Sequence, residues 1–252
     1  MPGTLSIREG VFGSWQNAVE YAPTAGINAL EIGVRPLDQL KELAAAAEAV
    51  GVQILTLAGS VNLDQEESID AAIQTLEACH QLRVGIFFCS ATGKELDREI
   101  HMARLRNLGD EAKTRGVTIS LETHPPFCQN ADGMLQTMSE LNHPNVRINL
   151  DTANIYYYNE GLSSATELER VIDVVASVHL KDTDGGFHSP NFPVLGEGIV
   201  DFARIRGILE AASFTGPMTI ELEGPVVSGK DLPACVAICK ACTDFAKNSG
   251  LV

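Results

Sequence analysis

Four segments of this chain end an apolar run on a residue that can bind a metal ion or move a proton. Val117-Thr118-Ile119-Ser120-Leu121 leads into Glu122, and Val146-Arg147-Ile148-Asn149-Leu150 leads into Asp151. Ala176-Ser177-Val178 leads into His179, and Met218-Thr219-Ile220 leads into Glu221. Carboxylates brought to one point repel one another and resist ionising, and a divalent cation removes that cost. Three oxygen ligands with one imidazole suit a hard or borderline ion such as Mn²⁺, Mg²⁺ or Co²⁺, with Zn²⁺ as a further candidate. Alternation along a strand places His124 on the side of Glu122, Lys181 on the side of His179 and Glu223 on the side of Glu221. His124 and Lys181 are therefore expected to face the same cavity as the ion, as donors to hydroxyl, carbonyl or carboxylate oxygens. Glu223 either joins the site from above or belongs to a loop.

For these residues to meet, the segments must be neighbouring strands with a common direction. Short apolar runs read as buried parallel strands at Leu5–Ile7, Ala29–Val34, Gln53–Leu57, Gly85–Cys89, Val117–Glu122, Val146–Leu150, Ala176–Leu180 and Met218–Leu222. Helical periodicity fills the intervals at Leu40–Val50, Ser68–Leu82, Glu95–Arg115, Met134–Leu141, Thr166–Val174, Phe202–Ala211 and Leu232–Lys247. Gly26, Gly51, Gly116 and Gly216 stand where a helix hands over to the next strand. Eight such units in 252 residues predict one domain, residues 1–252, folded as a single (β/α)₈ barrel. An open doubly wound sheet is the rival. It calls for a glycine-rich turn after the first strand, and Glu9-Gly10-Val11-Phe12-Gly13 has the wrong spacing. In a barrel, active sites gather at the C-terminal strand ends, where the four residues lie.

Bulk properties remove several function classes. The net charge is −15, from 33 acidic and 18 basic residues, which disfavours a nucleic-acid backbone as partner. No apolar stretch is long enough for a bilayer span, and no secretory signal is visible, so a soluble cytoplasmic protein without a membrane partner is expected. The six cysteines form no disulfide framework, and Cys235, Cys239 and Cys242 share one face of a helix, expected to be packed.

The stretches "SLETHPPFCQNADGMLQTMSELNHPNVRINLDTAN", "VHLKDTDGG", "VLGEGIVDF" and "MTIELEG" resemble the xylose isomerase-like TIM-barrel superfamily of sugar isomerases and epimerases. The resemblance covers nearly the whole chain. It implies Glu122, Asp151, His179 and Glu221 as ligands of one divalent ion, Mn²⁺ foremost, with Glu122 and Glu221 as the acid/base pair. The Glu-x-His and His-x-Lys pairs are similar to those of dehydroshikimate dehydratases, which implies substrate-facing roles for His124 and Lys181. The chain departs from the ketose 3-epimerases where they carry His, Glu and Arg, having Asn154, Cys128 and Gly185 instead. Asn154 and Glu197, the latter within Gly196-Glu197-Gly198, are further substrate-contact candidates, and Tyr156, Tyr157 and Tyr158 are either a sugar-facing wall or loop packing. The extra His and Asp ligands of the related DNA-repair endonucleases are missing. The expected activity is a metal-dependent isomerase or epimerase of a small sugar or keto-sugar. The alternatives are a dehydratase of a keto-cyclitol or dehydroshikimate-like substrate and, third, a non-catalytic sugar-binding barrel. Oligomeric state is left open.

Overall fold

The computed structural model describes residues 3–252. Eight parallel strands close into one barrel in chain order. They are β1 (Leu5–Arg8), β2 (Ala29–Gly33), β3 (Gln53–Asn62), β4 (Ile86–Thr92), β5 (Thr118–Glu122), β6 (Val146–Asp151), β7 (Val175–Leu180) and β8 (Met218–Ile220). The ring is sealed where β1 pairs with β8, Leu5 beside Met218 and Ile7 beside Ile220. Around it run α1 (Trp15–Tyr21), α2 (Leu37–Ala49), α3 (Glu66–Leu82), α4 (Arg98–Thr114), α5 (Ala131–Leu141), α6 (Asn154–Tyr158), α7 (Ser164–Val171), α8 (Phe202–Ala211) and α9 (Leu232–Asn248).

The alternation of each strand separates two environments. One set, including Ile7, Leu30, Ile32, Ile148, Leu150, Val178, Leu180 and Ile220, is fully buried in the main hydrophobic cluster. It packs with helix residues such as Leu40, Leu43, Leu76, Leu105 and Ile205. The other set points into the barrel and is polar. Ser120 on β5 bonds Ser177 on β7 at 2.8 Å, a contact between strands that are not neighbours and so one that crosses the interior. Asn149 donates to Ser177 at 2.8 Å, and Ser6 meets Thr219 at 2.7 Å. Two residues further along the same strands stand Arg8, Glu122, Asp151, His179 and Glu221. A layer of small hydroxyl and amide groups is thus the floor on which the ionisable residues sit.

Two helices and several strand limits differ from the sequence reading. α1 was not anticipated because it buries only Ala18 and Val19, too narrow a stripe to show as a period; Ser14 caps it by accepting from Asn17 N at 3.2 Å. α6 places the three tyrosines on one short helix directly after β6. β3 runs on to Asn62 because β4 continues beside it as far as Thr92. β8 ends at Ile220, although Glu221 N still donates to Leu180 O at 3.1 Å. α9 buries Cys235, Cys239 and Cys242 on its inner face, and all six cysteines are free and buried. Among the described residues no helix is long and apolar enough to cross a membrane.

Candidate metal centre

Three of the four strand-end residues meet closely. One ligand atom each from Asp151, His179 and Glu221 lies within 4.8 Å of the others, and all three residues are buried. Local structure aims each of them. Asp151 Oδ1 accepts from Ala153 N and Asn154 N at 2.8 Å, the first amides of the turn into α6, which leaves Oδ2 for the barrel axis. Thr123 ties β5 to β6, accepting from Asp151 N and donating to Asn149 O, both at 2.9 Å. Thr152 ties β6 to β7, accepting from Lys181 N at 2.9 Å and donating to Lys181 O at 2.6 Å. The His179 ring lies 4.5 Å from the Phe88 ring in a stacked arrangement. Its Nε2 is 3.1 Å from Glu31 Oε2 on β2, across the barrel, and its Nδ1 faces Glu221 Oε2 at 3.3 Å and Asp151 Oδ2 at 3.9 Å.

Lys181 enters this group from above. Its Nζ lies 3.0 Å from Asp151 Oδ2, 2.9 Å from Glu221 Oε2 and 2.9 Å from Glu223 Oε1. Arg8, at the end of β1, pairs with the other oxygen of Glu221 and lies 3.8 Å from Glu31 Oε1. Burial alone would push the Glu221 carboxyl up, but Lys181, His179 and Arg8 outweigh it and hold it well below the usual range. Burial pushes Asp151 up to about 7 against the pull of Lys181. Burial disfavours charge on His179, yet Glu31 and Glu221 raise it to about 10, and Asp151 and Glu221 likewise keep buried Lys181 well above its ordinary value.

The donor set fits a divalent cation. Asp151 Oδ2 and His179 Nδ1 are buried and accept or donate no hydrogen bond of good geometry among the described residues, being met only by the Lys181 ammonium and the Glu221 carboxylate as charged neighbours. Five carboxylates (Glu31, Glu122, Asp151, Glu221 and Glu223) gather around Arg8, Lys181 and His179, so negative charge is in excess. The surplus comes from Glu122 and Glu223, which line the open cavity, where a bound cation would offset it.

Above the group opens a cavity of about 370 Å³, within the range of small-molecule sites. Its lining includes Glu122, Asn154, Tyr157, Tyr158, Phe192 and Glu223, together with Arg8, Lys181 and Glu221. Glu122 therefore shares the cavity but stands outside the tight group of ligand atoms. Asn154 is on the wall with its amide donated to Thr123 O at 3.1 Å. His124 is set behind that wall: its Nδ1 contacts its neighbour Pro125 O, and its ring packs edge-on against Tyr158 at 5.2 Å. Glu197 is exposed and absent from the lining. Its flanking glycines have another task, since Gly196 N and Gly198 N both donate to Asp182 Oδ2 at 2.9 Å.

Arg8, Glu31 and Phe88 were missed by reasoning on the sequence. Their neighbours Glu9 and Arg35 pair with each other instead. A usable signal existed in Glu31, a lone carboxylate inside the apolar run Ala29-Leu30-Glu31-Ile32 and only 1% exposed in the fold.

Comparison with known proteins agrees with this architecture. An inosose dehydratase from Erwinia tasmaniensis is 24% identical over 247 residues, covering 83% of both chains. Among solved structures, an L-ribulose 3-epimerase superposes with a TM-score of 0.82 at 17% identity, covering 98% of this chain and 94% of the other. The IolI protein, solved with a bound zinc atom, superposes with a TM-score of 0.80 at 19% identity, covering 97% and 98%. Residues 19–235 match the sequence profile of the family described as xylose isomerase-like TIM barrel. With that much of its length matched, the chain belongs to the xylose isomerase-like TIM-barrel family.

Proposed function

We propose that this chain is a divalent-metal-dependent isomerase or epimerase of a small sugar or keto-sugar. The observation that carries the reading is that Glu122, the last residue of β5, and Glu221, just after β8, line one cavity over the buried Asp151, His179 and Glu221 group. Those three residues would hold the ion, with Glu122 completing the set, and Mn²⁺ is the first choice for such ligands, with Mg²⁺, Co²⁺ and Zn²⁺ as the others. When bound, the ion supplies a Lewis acid that polarises a substrate carbonyl. Glu122 enters none of the ion pairs that grip Glu221, which suits it to take the proton next to that carbonyl. Glu221 faces the opposite side of the substrate, where a proton is returned. Lys181 and Arg8 point N–H donors at the oxygen on which negative charge builds. Asn154, Tyr157 and Tyr158 bind and orient hydroxyls, and Tyr158 is steadied by His124 behind it.

One observation favours a second reading. Glu221 is gripped by Arg8, Lys181 and His179, and a carboxylate held ionised is poorly suited to carry the returning proton. With Lys181 as the acid instead, the same first step ends in loss of a β-hydroxyl, the dehydratase outcome named for the Erwinia relative. Metal-loaded protein incubated in D₂O with a panel of ketoses and keto-cyclitols tests both. Deuterium entering the position next to the carbonyl, with the sugar skeleton intact, supports isomerisation. New ultraviolet absorbance from a conjugated enone supports dehydration. Absence of exchange across the panel by protein shown to carry metal rejects proton abstraction at this site, and leaves the non-catalytic sugar-binding barrel.

A further inference from the structure

Lys181 stands two residues after His179, so its side chain rises on the same face and must share the space above the imidazole. It is 2% exposed, and its ammonium lies 4.9 Å from the centre of the Phe192 ring. That ring and the barrel wall shield the ammonium from most of the solvent, so its charge is balanced locally. Two of the oxygens that balance it, Asp151 Oδ2 at 3.0 Å and Glu221 Oε2 at 2.9 Å, belong to the residues assembled for a metal. The third, Glu223 Oε1 at 2.9 Å, does not, and Glu223 is the outermost of the three, with its side chain 48% exposed.

We propose that Lys181 is a resident competitor of the metal ion: its ammonium and the ion draw on the same oxygens of Asp151 and Glu221, and Glu223 is the carboxylate onto which the ammonium withdraws as the ion enters. This rests on the metal reading above. A metal–oxygen bond is about 2.1 Å long. An ion and an ammonium sharing Asp151 Oδ2, the latter at 3.0 Å, are therefore no more than about 5 Å apart. Repulsion between a divalent and a univalent cation at that range in a buried site exceeds thermal energy severalfold. The ammonium gives way by rotating about the last bonds of its stem, and the pair with Glu223 lets it do so without becoming an unpaired buried charge. Lys181 thereby sets how tightly the ion is held, and Glu223 sets the cost of letting the ion in.

The test is calorimetric titration of the full chain, stripped of metal, with Mn²⁺ alone and with Zn²⁺ alone. Lys181→Met removes the competitor and is expected to bind roughly 5- to 150-fold tighter, the usual span of coupling between two ligands of one protein. Glu223→Gln keeps the competitor but weakens its refuge, and is expected to bind more weakly than the parent. The double variant should match Lys181→Met, because Glu223 matters only while the lysine is present. Lys240→Met, on the outer surface, controls for the loss of one positive charge. Lys181→Met leaves carboxylates uncompensated, so its melting temperature without metal should fall and its gain on adding metal should exceed that of the parent. If that variant does not fold, Glu223→Gln decides, and an affinity equal to the parent overturns the proposal. Unchanged or weaker binding by folded Lys181→Met also overturns it while leaving the metal site standing. A parent that binds no ion in a manner abolished by Asp151→Asn removes both.

Discussion

Removing the carboxylate of Asp182 should loosen one side of the substrate cavity without touching anything that lines it. Asp182 follows Lys181 and so points the other way, into the segment that joins β7 to α8, and it is 1% exposed. Its Oδ1 accepts from Thr183 N at 2.9 Å and Val200 N at 3.2 Å, and its Oδ2 from Gly196 N and Gly198 N at 2.9 Å. Thr183 and Val200 are buried, so water cannot replace the lost acceptor there, whereas Gly196 is exposed and rehydrates. Two buried amides left unpaired cost about 1 to 3 kcal/mol each, so Asp182→Ala should destabilise this segment by roughly 2 to 6 kcal/mol. That is a large share of the 5 to 15 kcal/mol typical of a whole domain. At about 1.4 kcal/mol per factor of ten, backbone hydrogen exchange across residues 183–200 should quicken by roughly thirtyfold or more. Mass spectrometry of the exchanged peptides measures this directly. Pro190 and Phe192 belong to the same segment and line the cavity, so turnover should fall as well. Gly198→Ala should mimic the effect, because a Cβ there would lie 2.3 Å from both Asp182 Oδ1 and Thr183 O. An acceleration below about threefold in Asp182→Ala would refute the account of Asp182 as the anchor.

Chelation should abolish activity and leave far-ultraviolet circular dichroism unchanged, because the packed ring of strands holds the ligands in place; the loss in stability should be about 3 kcal/mol for an ion present at a hundred times its Kd. A chain that unfolds on chelation would make the ion structural. Burial raises the Cys79, Cys128 and Cys239 thiols to about 12 and Cys242 to about 11, from an ordinary value near 9. A raised folded value means the stabilising difference is whole below pH 9 and is lost as pH climbs toward 12. The unfolding free energy from urea titration should therefore be flat from pH 7 to 8.5 and then fall, by roughly 1 to 2 kcal/mol per thiol at pH 10. Thiol alkylation should be slow in the native state and immediate in urea.

The barrel was legible because the outward residues of each short strand are apolar and helical periodicity lies between, and that pattern depends on the packing of strand against helix. Asp151, His179 and Glu221 were legible for a related reason, since each is the first ionisable residue after such a run. Arg8 and Glu31 were not, because their meaning comes from contacts across the barrel: Arg8 meets Glu221, and Glu31 meets His179. No local pattern encodes a partner 148 residues away. Alternation alone also placed His124 with Glu122. β5 ends at Glu122, so the period of two no longer directs the side chain of His124. The anchoring role of Asp182 leaves no mark in the sequence because its four amide partners come from backbone, which carries no sequence signature.

The seam between β1 and β8 has a consequence for how the protein is made. Ser6 meets Thr219, and Arg8 meets Glu221, each across 213 residues of chain. At about 5 to 20 residues per second, a ribosome needs roughly 10 to 40 s to deliver the second partner after the first. Throughout that interval β1 offers an open edge, and Arg8 has Glu31 beside it but not yet Glu221. A transcript truncated before β8 would yield a sheet with two free edges, prone to self-association or proteolysis. On the proposed metal reading, capture of an ion would belong to the same final moment, since Glu221 is made after Asp151 and His179.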